Sequence, residues 1–316
     1  MKIVIQFKKS KKRYSKLLKK RKLWFLLAVF ATALMFTYFF ILKDLPFPTK
    51  LNSGTTPQTT RIFDRNQKLL YSIYASRNQS NVSLSSIPKH VQNATIAIED
   101  KDFYKHGAID FRAIFRSLGS IIFRNELQGG STLTQQLVKN SLLTPERTIT
   151  RKIKEVILAF VTETLYPKDK ILEMYLNQVP YGGTLWGIEA AAQAYFGKKS
   201  SELTLSESAL LAGLPESPTT NSPFGSHPEL AKKRQELILN KMYEQKYITK
   251  AQKDQAIKEK LKFQKTSDNI LAPHFVLYIK DLLIKKYTQK VVEEGGLNVI
   301  TSLDYSIQEL AQKAVS

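Results

Sequence analysis

Apolar residues recur at helical spacing through most of the chain beyond residue 88. Val91, Ala94 and Ala97 follow Pro88 at intervals of three residues, and proline suits the first turn of a helix. This pattern predicts a helix that ends near Glu99. The same spacing predicts further helices over residues 150–166, 168–177, 185–195, 206–214 and 229–247. The predicted fold class is therefore mainly α.

The helix predicted over residues 150–166 begins at Thr150, because threonine is a favourable N-cap residue. Apolar residues follow it every three or four positions, which places them on one helical face. We expect this buried face to carry Ile153, Val156, Ile157, Phe160 and Leu165.

Residues 61–74 have the pattern of a β-hairpin. Two apolar runs, at 62–63 and 69–74, flank a polar turn at 64–67. The preceding residues 43–60 contain three prolines and a glycine among several Ser and Thr, which is typical of an extended linker. Sheet is therefore a small part of the expected fold.

An uncharged apolar run of twenty residues, 23–42, is long enough to cross a bilayer as a helix. Residues 1–22 before it contain 11 Lys and Arg and no acid, within a chain of net charge +21. We predict a basic cytoplasmic tail, a single transmembrane helix and an extracytoplasmic remainder. Nucleic acid is a poor partner for a basic tail that adjoins a membrane span. A cleaved signal peptide, with its cleavage site at 31–33, is the alternative.

Residues 112–127 combine apolar side chains with three arginines. An apolar face with basic flanks is typical of a segment that lies in a membrane interface. An ordinary amphipathic helix packed on the core has the same pattern. Both interpretations stay open.

A first polar motif follows the helix that ends near Glu99. The candidate residues are Glu99, Asp100, Phe103 and His106. A carboxylate beside apolar helix residues is predicted to have a raised pKa, which suits a general base near neutral pH. A solvated helix end is the alternative, and the neighbouring aromatic and imidazole groups favour a site. Since the chain has no cysteine, a thiol nucleophile and a zinc–thiolate site are excluded.

A second polar motif begins with two adjacent glycines, which permit close approach of a ligand to the backbone. Hydroxyl and amide side chains then crowd together, followed by a lysine that can bind phosphate. The candidate binding residues are Ser131, Thr132, Gln136, Lys139 and Asn140. A polar surface loop is the alternative.

A third motif lies on the helix predicted over residues 150–166. Glu155 is four residues from Arg151 and three from Lys152, so the three side chains lie close together on the helix surface. This spacing indicates either a surface ion pair or a cationic site for diphosphate in which Glu155 is held ionised.

The three motifs, in this order, resemble the signature motifs of the family 51 glycosyltransferases. These are the peptidoglycan glycosyltransferase modules of class A penicillin-binding proteins and their monofunctional relatives. Residues 170–177 resemble the fourth motif of the family, and residues 181–191 with 195–198 resemble the fifth. The resemblance implies a lysozyme-like α fold for a glycosyltransferase domain at residues 61–247.

By this resemblance, the substrate is lipid II, which is polymerised into β-1,4-linked glycan strands with inversion and release of undecaprenyl diphosphate. Glu99 would be the general base, and Glu155 with Lys139, Arg151 and Lys152 would support the leaving diphosphate. The donor sugar and phosphate would be held by Ser131, Thr132, Gln136 and Asn140. The cleft around Glu99 would be shaped by Asp100, Phe103 and His106. A divalent cation, Mg or Mn, would assist, although the sequence encodes no dedicated metal site. The implied location is the bacterial plasma membrane, beside the cell-wall synthesis machinery.

Two other functions compete with this interpretation. A lysozyme-like lytic enzyme would also use a glutamate, but it would cleave glycan and would not need the cations Lys139, Arg151 and Lys152. A catalytically dead membrane-anchored scaffold of the cell wall is the other alternative.

Residues 248–316 form a C-terminal extension of the predicted domain. Within them, residues 295–304 resemble the segment where bifunctional members of the family enter their transpeptidase domain. We therefore expect a piece of a bifunctional protein, with a monofunctional enzyme as the alternative.

Overall fold

The computed structural model describes residues 45–52, 57–110, 130–144, 148–225, 227–264 and 271–315, together with residue 146 and scattered positions between 24 and 43. The predicted basic tail, part of the predicted transmembrane run at 23–42 and the amphipathic segment at 112–127 lie outside the described residues. Within the described part of the chain, no helix has both the length and the apolar character needed to cross a membrane.

The chain divides into two units. The first consists of Met1–Phe47 and Glu146–Lys154, and its described residues include helical positions near the N-terminus and the start of one later helix. The second consists of Pro48–Pro145 and Glu155–Ser316. This second unit contains the strands and the remaining helices.

The described residues are mainly helical, which confirms the predicted class. In chain order, the helices are α1 (Lys89–Glu99), α2 (Leu133–Leu142), α3 (Ile149–Leu165), α4 (Lys168–Gln178), α5 (Ile188–Phe196), α6 (Leu205–Ala212), α7 (Pro228–Glu244), α8 (Lys250–Lys258), α9 (Pro273–Tyr287), α10 (Gln289–Glu294) and α11 (Tyr305–Val315). The strands are β1 (Thr60–Phe63), β2 (Leu69–Ile73), β3 (Asn78–Gln79), β4 (Pro180–Gly182), β5 (Leu185–Trp186) and β6 (Asn298–Ile300). Short 3₁₀ turns lie at Pro48–Asn52, Leu84–Ser86 and Ser200–Glu202.

Helix α1 ends at Glu99, as the apolar spacing predicts. Helix α2, in contrast, lies where the sequence predicts only a polar segment. It forms because Thr132 and Gln135 cap its first turn reciprocally: Gln135 N donates to Thr132 Oγ1 at 3.2 Å, and Thr132 N donates to Gln135 Oε1 at 3.0 Å. This reciprocal cap explains why the polar residues after Thr132 form a helix.

Helix α3 differs from its prediction in two respects. Its first turn is capped by Thr148 rather than Thr150, since Arg151 N donates to Thr148 Oγ1 at 3.1 Å. Its buried residues are Glu155, Leu158, Ala159 and Thr162, whereas the expected Ile153 and Phe160 are exposed. Both sets recur at helical spacing, so packing rather than periodicity selects the buried face.

A three-stranded sheet in the order β2-β1-β6 contains the predicted hairpin. Asp64 stabilises its turn, because Asp64 Oδ1 accepts from Asn66 N and Lys68 N, both at 2.8 Å. Strand β6 pairs in parallel with β1, with Ile62 opposite Val299. The hairpin therefore forms a sheet with a strand from the far end of the chain.

The predicted C-terminal extension shares cores with the rest of the second unit. Val276 of α9 and Val292 of α10 are buried in one cluster with Ile62 and Leu70 of the hairpin. Ala256 of α8 is buried in another cluster, with residues of α1, α6 and α7. The described structure therefore has no packing boundary at residue 247.

The segment predicted as a linker, 43–60, is partly packed. Leu51 lies in a 3₁₀ turn and is 5% exposed, and its carbonyl accepts from Gln178 Nε2 at 2.8 Å. Thr60 already belongs to β1. Because Leu51 is part of the main core, this segment differs from the extended linker that the prolines predict.

The main hydrophobic core joins α1, α2, α4, α5 and α6. Val91, Leu137 and Tyr175 are fully buried there, together with Ile188 and Leu210. This packing holds the end of α1 against α2 and α4, and the candidate site lies where these three helices meet.

Candidate active site

The end of α1 positions Glu99 against α2. Gln136 of α2 donates from Nε2 to Glu99 Oε2 at 2.7 Å, and the Tyr175 hydroxyl of α4 donates to Gln136 Oε1 at 3.3 Å. Glu99 Oε1 is buried and has no hydrogen-bond partner among the described residues. One carboxylate oxygen is thus held in place while the other has capacity to accept a proton.

The surroundings of Glu99 change its acidity. Burial raises the pKa of Glu99, and the charge of Glu216 raises it further. The hydrogen bond from Gln136 and the positive charges of Arg234 and Lys139 lower the pKa but do not cancel the effect of burial. A carboxylate with a raised pKa is well suited to accept a proton near neutral pH.

Arg234 and Glu216 are part of this electrostatic environment, and sequence reasoning missed both. They form an ion pair, and the Arg234 stem packs so closely on Gly213 that a Cβ there would lie 2.7 Å from Arg234 Cγ. Arg234 belongs to α7, a helix with many charged residues and no local pattern that marks one of them. Only the packing of α7 against α1 and α6 reveals its relation to Glu99.

Two buried tyrosines border the carboxylate. Burial raises the pKa of Tyr175 and of Tyr181, and the charge of Glu99 raises both further. Both phenols therefore stay neutral at any ordinary pH. Tyr175 can then act as a permanent hydrogen donor to Gln136.

Asp100 links the first motif to the start of α2. Asp100 Oδ2 accepts from Leu133 N at 3.0 Å, and Asp100 Oδ1 lies 2.6 Å from His106 Nε2. His106 Nδ1 lies 2.6 Å from the carbonyl oxygen of Gly107. Burial lowers the pKa of His106, but the bonds to Asp100 and Gly107 outweigh burial and raise it overall. Since both partners are acceptors, His106 is bonded best as the imidazolium cation.

The family resemblance implies that a divalent cation would assist the reaction, without a dedicated metal site. In the described part of the chain, one group of potential metal ligands comes together, Asp100, His106 and Asp110, with ligand atoms within 4.8 Å of one another. A histidine that donates from both nitrogens has no lone pair for a cation. This group therefore does not fit a divalent metal.

Phe103 and Thr132 lie in the interior. Phe103 is 0% exposed, and Lys168 Nζ lies 4.4 Å from the centroid of its ring. Thr132 is 2% exposed, and its hydroxyl donates to Ala108 O at 2.9 Å while it caps α2. Phe103 contributes packing and Thr132 caps α2. The role predicted for Phe103, to shape the cleft, and that predicted for Thr132, to hold the donor, stay predictions.

The other residues of the second motif lie on or just before α2. Lys139 and Asn140 are half-buried and lie three and four residues beyond Gln136, on the same helical face. Ser131 is half-buried and immediately precedes the cap. Helix α2 thus places the amide of Gln136, the ammonium group of Lys139 and the amide of Asn140 on one face, the face from which Gln136 contacts Glu99.

The third motif lies on α3 and spans both units. Arg151 and Lys152 belong to the first unit, and Glu155 belongs to the second. Lys152 is exposed, whereas Glu155 is 2% exposed. A carboxylate that is buried to this extent does not match a solvent-exposed surface ion pair. The predicted role of Glu155 beside the diphosphate stays a prediction.

Comparison with known proteins identifies the family. The family model described as Transglycosylase matches residues 66–243, which contain all three polar motifs. The chain belongs to the transglycosylase family. The match lies within the glycosyltransferase domain predicted at residues 61–247.

Several relatives of this transglycosylase chain carry one name. This chain is 42% identical over 277 residues to "Penicillin-binding protein 1A" of Aquifex aeolicus. The alignment covers 87% of this chain and 38% of that protein. Proteins of the same name from Rickettsia conorii and Vibrio cholerae are 36% and 35% identical over 280 residues each, covering 86% and 88% of this chain. The transglycosylase chain spans 35% and 34% of those two proteins.

A comparison of folds finds a crystal structure of penicillin-binding protein 1A from Haemophilus influenzae. The alignment has a TM-score of 0.44 and 25% identity, and it covers 82% of this chain and 29% of that one.

Proposed function

We propose that this chain is a peptidoglycan glycosyltransferase that polymerises lipid II into β-1,4-linked glycan strands. The observation that supports this most strongly is the Glu99 carboxylate, with one buried oxygen that lacks a partner among the described residues, in a chain of the transglycosylase family. The neighbouring charges of Lys139 and Arg234 are those that a reaction with an anionic leaving group requires.

In the proposed reaction, Glu99 accepts the proton of the acceptor 4-hydroxyl. The hydroxyl oxygen then bonds to C1 of the donor sugar while the bond from C1 to the diphosphate oxygen breaks, and the configuration at C1 inverts. The raised pKa of Glu99 matches this role, because a stronger base takes the proton more readily. Gln136 holds the carboxylate in the orientation for proton transfer.

The leaving undecaprenyl diphosphate develops negative charge, and cations in its path stabilise the transition state. On α2, the cation proposed to stabilise the diphosphate is Lys139. On α3, the proposed cations are Arg151 and Lys152. Glu155 would keep these cations ordered, and Ser131 and Asn140 would hold the donor sugar and phosphate.

The substrate has a lipid anchor, so the enzyme must work at a bilayer surface. We propose that residues 23–42 anchor the chain in a bacterial plasma membrane, with residues 1–22 in the cytoplasm. The nascent glycan strand and the cell-wall synthesis machinery would then be the partners on the outer side.

Incubation of the full chain with lipid II tests the proposal. Gel separation of the products should show glycan strands that lengthen with time. Shortening of preformed strands would instead favour the lytic enzyme. Neither product, from a chain shown to be folded, would favour the scaffold.

Replacing Arg151 with Ala should chiefly weaken the handling of the donor. If Arg151 contacts the diphosphate, the loss of a charge-assisted bond should raise the lipid II concentration at half-maximal rate by about tenfold. Initial rates across lipid II concentrations measure this, and Lys250→Ala, at an exposed lysine of α8, is the control. An unchanged dependence on lipid II would contradict the role.

Replacing Gln136 with Met should move the acid limb of the activity profile to higher pH. The bond from Gln136 lowers the pKa of Glu99, so its loss lets that pKa rise, and a higher pH is needed to ionise the base. The variant should also lose about 1–3 kcal/mol of stability, because the Tyr175 hydroxyl stays buried without its acceptor. The pH dependence of kcat/KM and urea unfolding are the measurements.

Gln255→Met, at an exposed glutamine of α8, is the matched control for this variant and should leave both properties unchanged. A pH profile of Gln136→Met that superimposes on the wild-type profile would argue that Gln136 does not tune the base.

A further inference from the structure

A cavity of about 470 Å³ lies between α6, α7, α8 and the segment that follows α8. None of its lining residues belongs to the five motifs or surrounds Glu99. The volume is within the range of pockets that hold small organic molecules, about 300–1,000 Å³. The cavity therefore has room for a ligand and is separate from the site of the proposed glycosyl transfer.

Most of the cavity wall is apolar. Its least exposed lining residues are Leu210 of α6 and Ala231 of α7, which are 3% exposed each and belong to the main core. Ile257 and Leu261 also line the cavity and are half-buried, and Phe263 is 38% exposed. Apolar side-chain surface is thus accessible to a ligand, and covering it is favourable by about 25 cal/mol per Å².

Contacts outside the cavity hold its walls in place. The ring of Phe263 stacks on Phe196 with centroids 5.6 Å apart, and it meets Phe224 edge-on at 5.4 Å. Between α7 and α8, Lys232 Nζ donates to the carbonyl oxygen of Ile257 at 2.6 Å. Because these contacts form without a ligand, the cavity is preformed, and binding requires little ordering of the protein.

The charge at the cavity is positive. Lys258 and Lys260 line it, are exposed and have no ion-pair partner among the described residues. Lys232 is a third lysine of the lining, whereas Glu259 is the one carboxylate among the described residues that line the cavity. The lining therefore favours a ligand with a negative group over a neutral or cationic one.

We propose that this cavity binds a small amphiphilic anion, with the apolar chain against the apolar wall and the anionic group beside Lys258 and Lys260. The occupant is a dissolved single-chain molecule rather than a bilayer lipid, since the volume is too small for two acyl chains and a headgroup. This binding does not depend on the proposed glycosyl transfer, because the two share no residue.

Calorimetric titration with octanoate at constant ionic strength tests the proposal on the full chain in lipid nanodiscs, with empty nanodiscs as the blank. Octanoate should bind saturably at one site per chain. Octanol has the same chain without the charge and should bind about tenfold more weakly, because it loses the attraction of the lysines. Acetate has the charge without the chain and should show no saturable binding.

Substitutions in the lining locate the site. Lys258→Gln and Lys260→Gln should each weaken octanoate binding by about threefold, since each removes one exposed charge. Phe263→Ala removes part of the apolar wall and should weaken binding by about tenfold. The matched controls are Lys250→Gln and Leu237→Ala, at exposed residues that do not line the cavity, and both should bind octanoate like the wild-type chain.

If Phe263→Ala fails to fold by circular dichroism, the two lysine variants decide the question. The proposal would be overturned if octanoate showed no saturable binding, or if octanol or acetate bound as tightly as octanoate. Affinities of Lys258→Gln and Lys260→Gln equal to that of Lys250→Gln would overturn it as well.

Discussion

Glu99→Gln should abolish the polymerisation of lipid II while the substrate still binds. Gln has nearly the shape of Glu but cannot accept the proton of the acceptor hydroxyl. Loss of a general base lowers the rate by about 10²- to 10⁴-fold. Strand formation measured by gel, together with lipid II binding measured separately, checks both parts of the expectation.

The control for this variant is Glu244→Gln, at an exposed glutamate near the end of α7, and it should polymerise at the wild-type rate. In the wild-type chain, activity should fall as the pH drops through the pKa of Glu99. Because burial raises that pKa, the acid limb should lie above the pH of about 4.3 expected for an exposed Glu. A Glu99→Gln variant with wild-type rates would remove Glu99 from the mechanism.

Asp100→Ala should lower the free energy of unfolding by about 3–5 kcal/mol. The substitution removes the hydrogen bond between Asp100 and the His106 cation, worth about 1.5–3 kcal/mol, and His106 can then lose its proton. It also leaves Leu133 N, in the first turn of α2, without its acceptor. Urea unfolding is the measurement, and Asp281→Ala, at an exposed aspartate of α9, should change stability by less than about 0.5 kcal/mol.

The pH dependence gives this prediction a second test. The folded state raises the pKa of His106, so the stabilisation from its charged form is fully present below the unfolded pKa of about 6.5. It is lost as the pH rises through the raised pKa of the folded state. The difference between wild type and Asp100→Ala should therefore be larger at pH 6 than at pH 9. An effect of Asp100→Ala equal to that of Asp281→Ala would contradict the role of the pair.

Local patterns predicted the elements whose residues lie close together in the chain. The end of α1 at Glu99 follows from three-residue apolar spacing, and the hairpin of β1 and β2 follows from apolar runs around a turn. Both depend on short-range geometry, which the sequence carries directly. The buried face of α3 was predicted wrongly, because Ile153 and Glu155 both belong to helical stripes and only the neighbouring helices decide between them.

The partners of Glu99 lie beyond what local patterns can predict. The motif predicts that Gln136 binds the donor sugar. The structure adds a hydrogen bond from Gln136 to Glu99, which the spacing of residues along the chain does not indicate. Arg234 and Glu216 carry no motif, and they influence Glu99 only because α7 packs against α1. Interactions between distant parts of a chain depend on packing, so they become visible only in the folded molecule.

The sequence by itself determined the helical class, the hairpin and the three clusters of polar residues, and its motifs determined the family resemblance. Only the tertiary structure decided that β6 closes the sheet beside β1, that Thr132 and Phe103 are buried, and that one oxygen of Glu99 is held while the other is not. The physical reason is that side-chain chemistry and periodicity are local properties of the chain, whereas burial and hydrogen-bond partners are set by residues far apart in it.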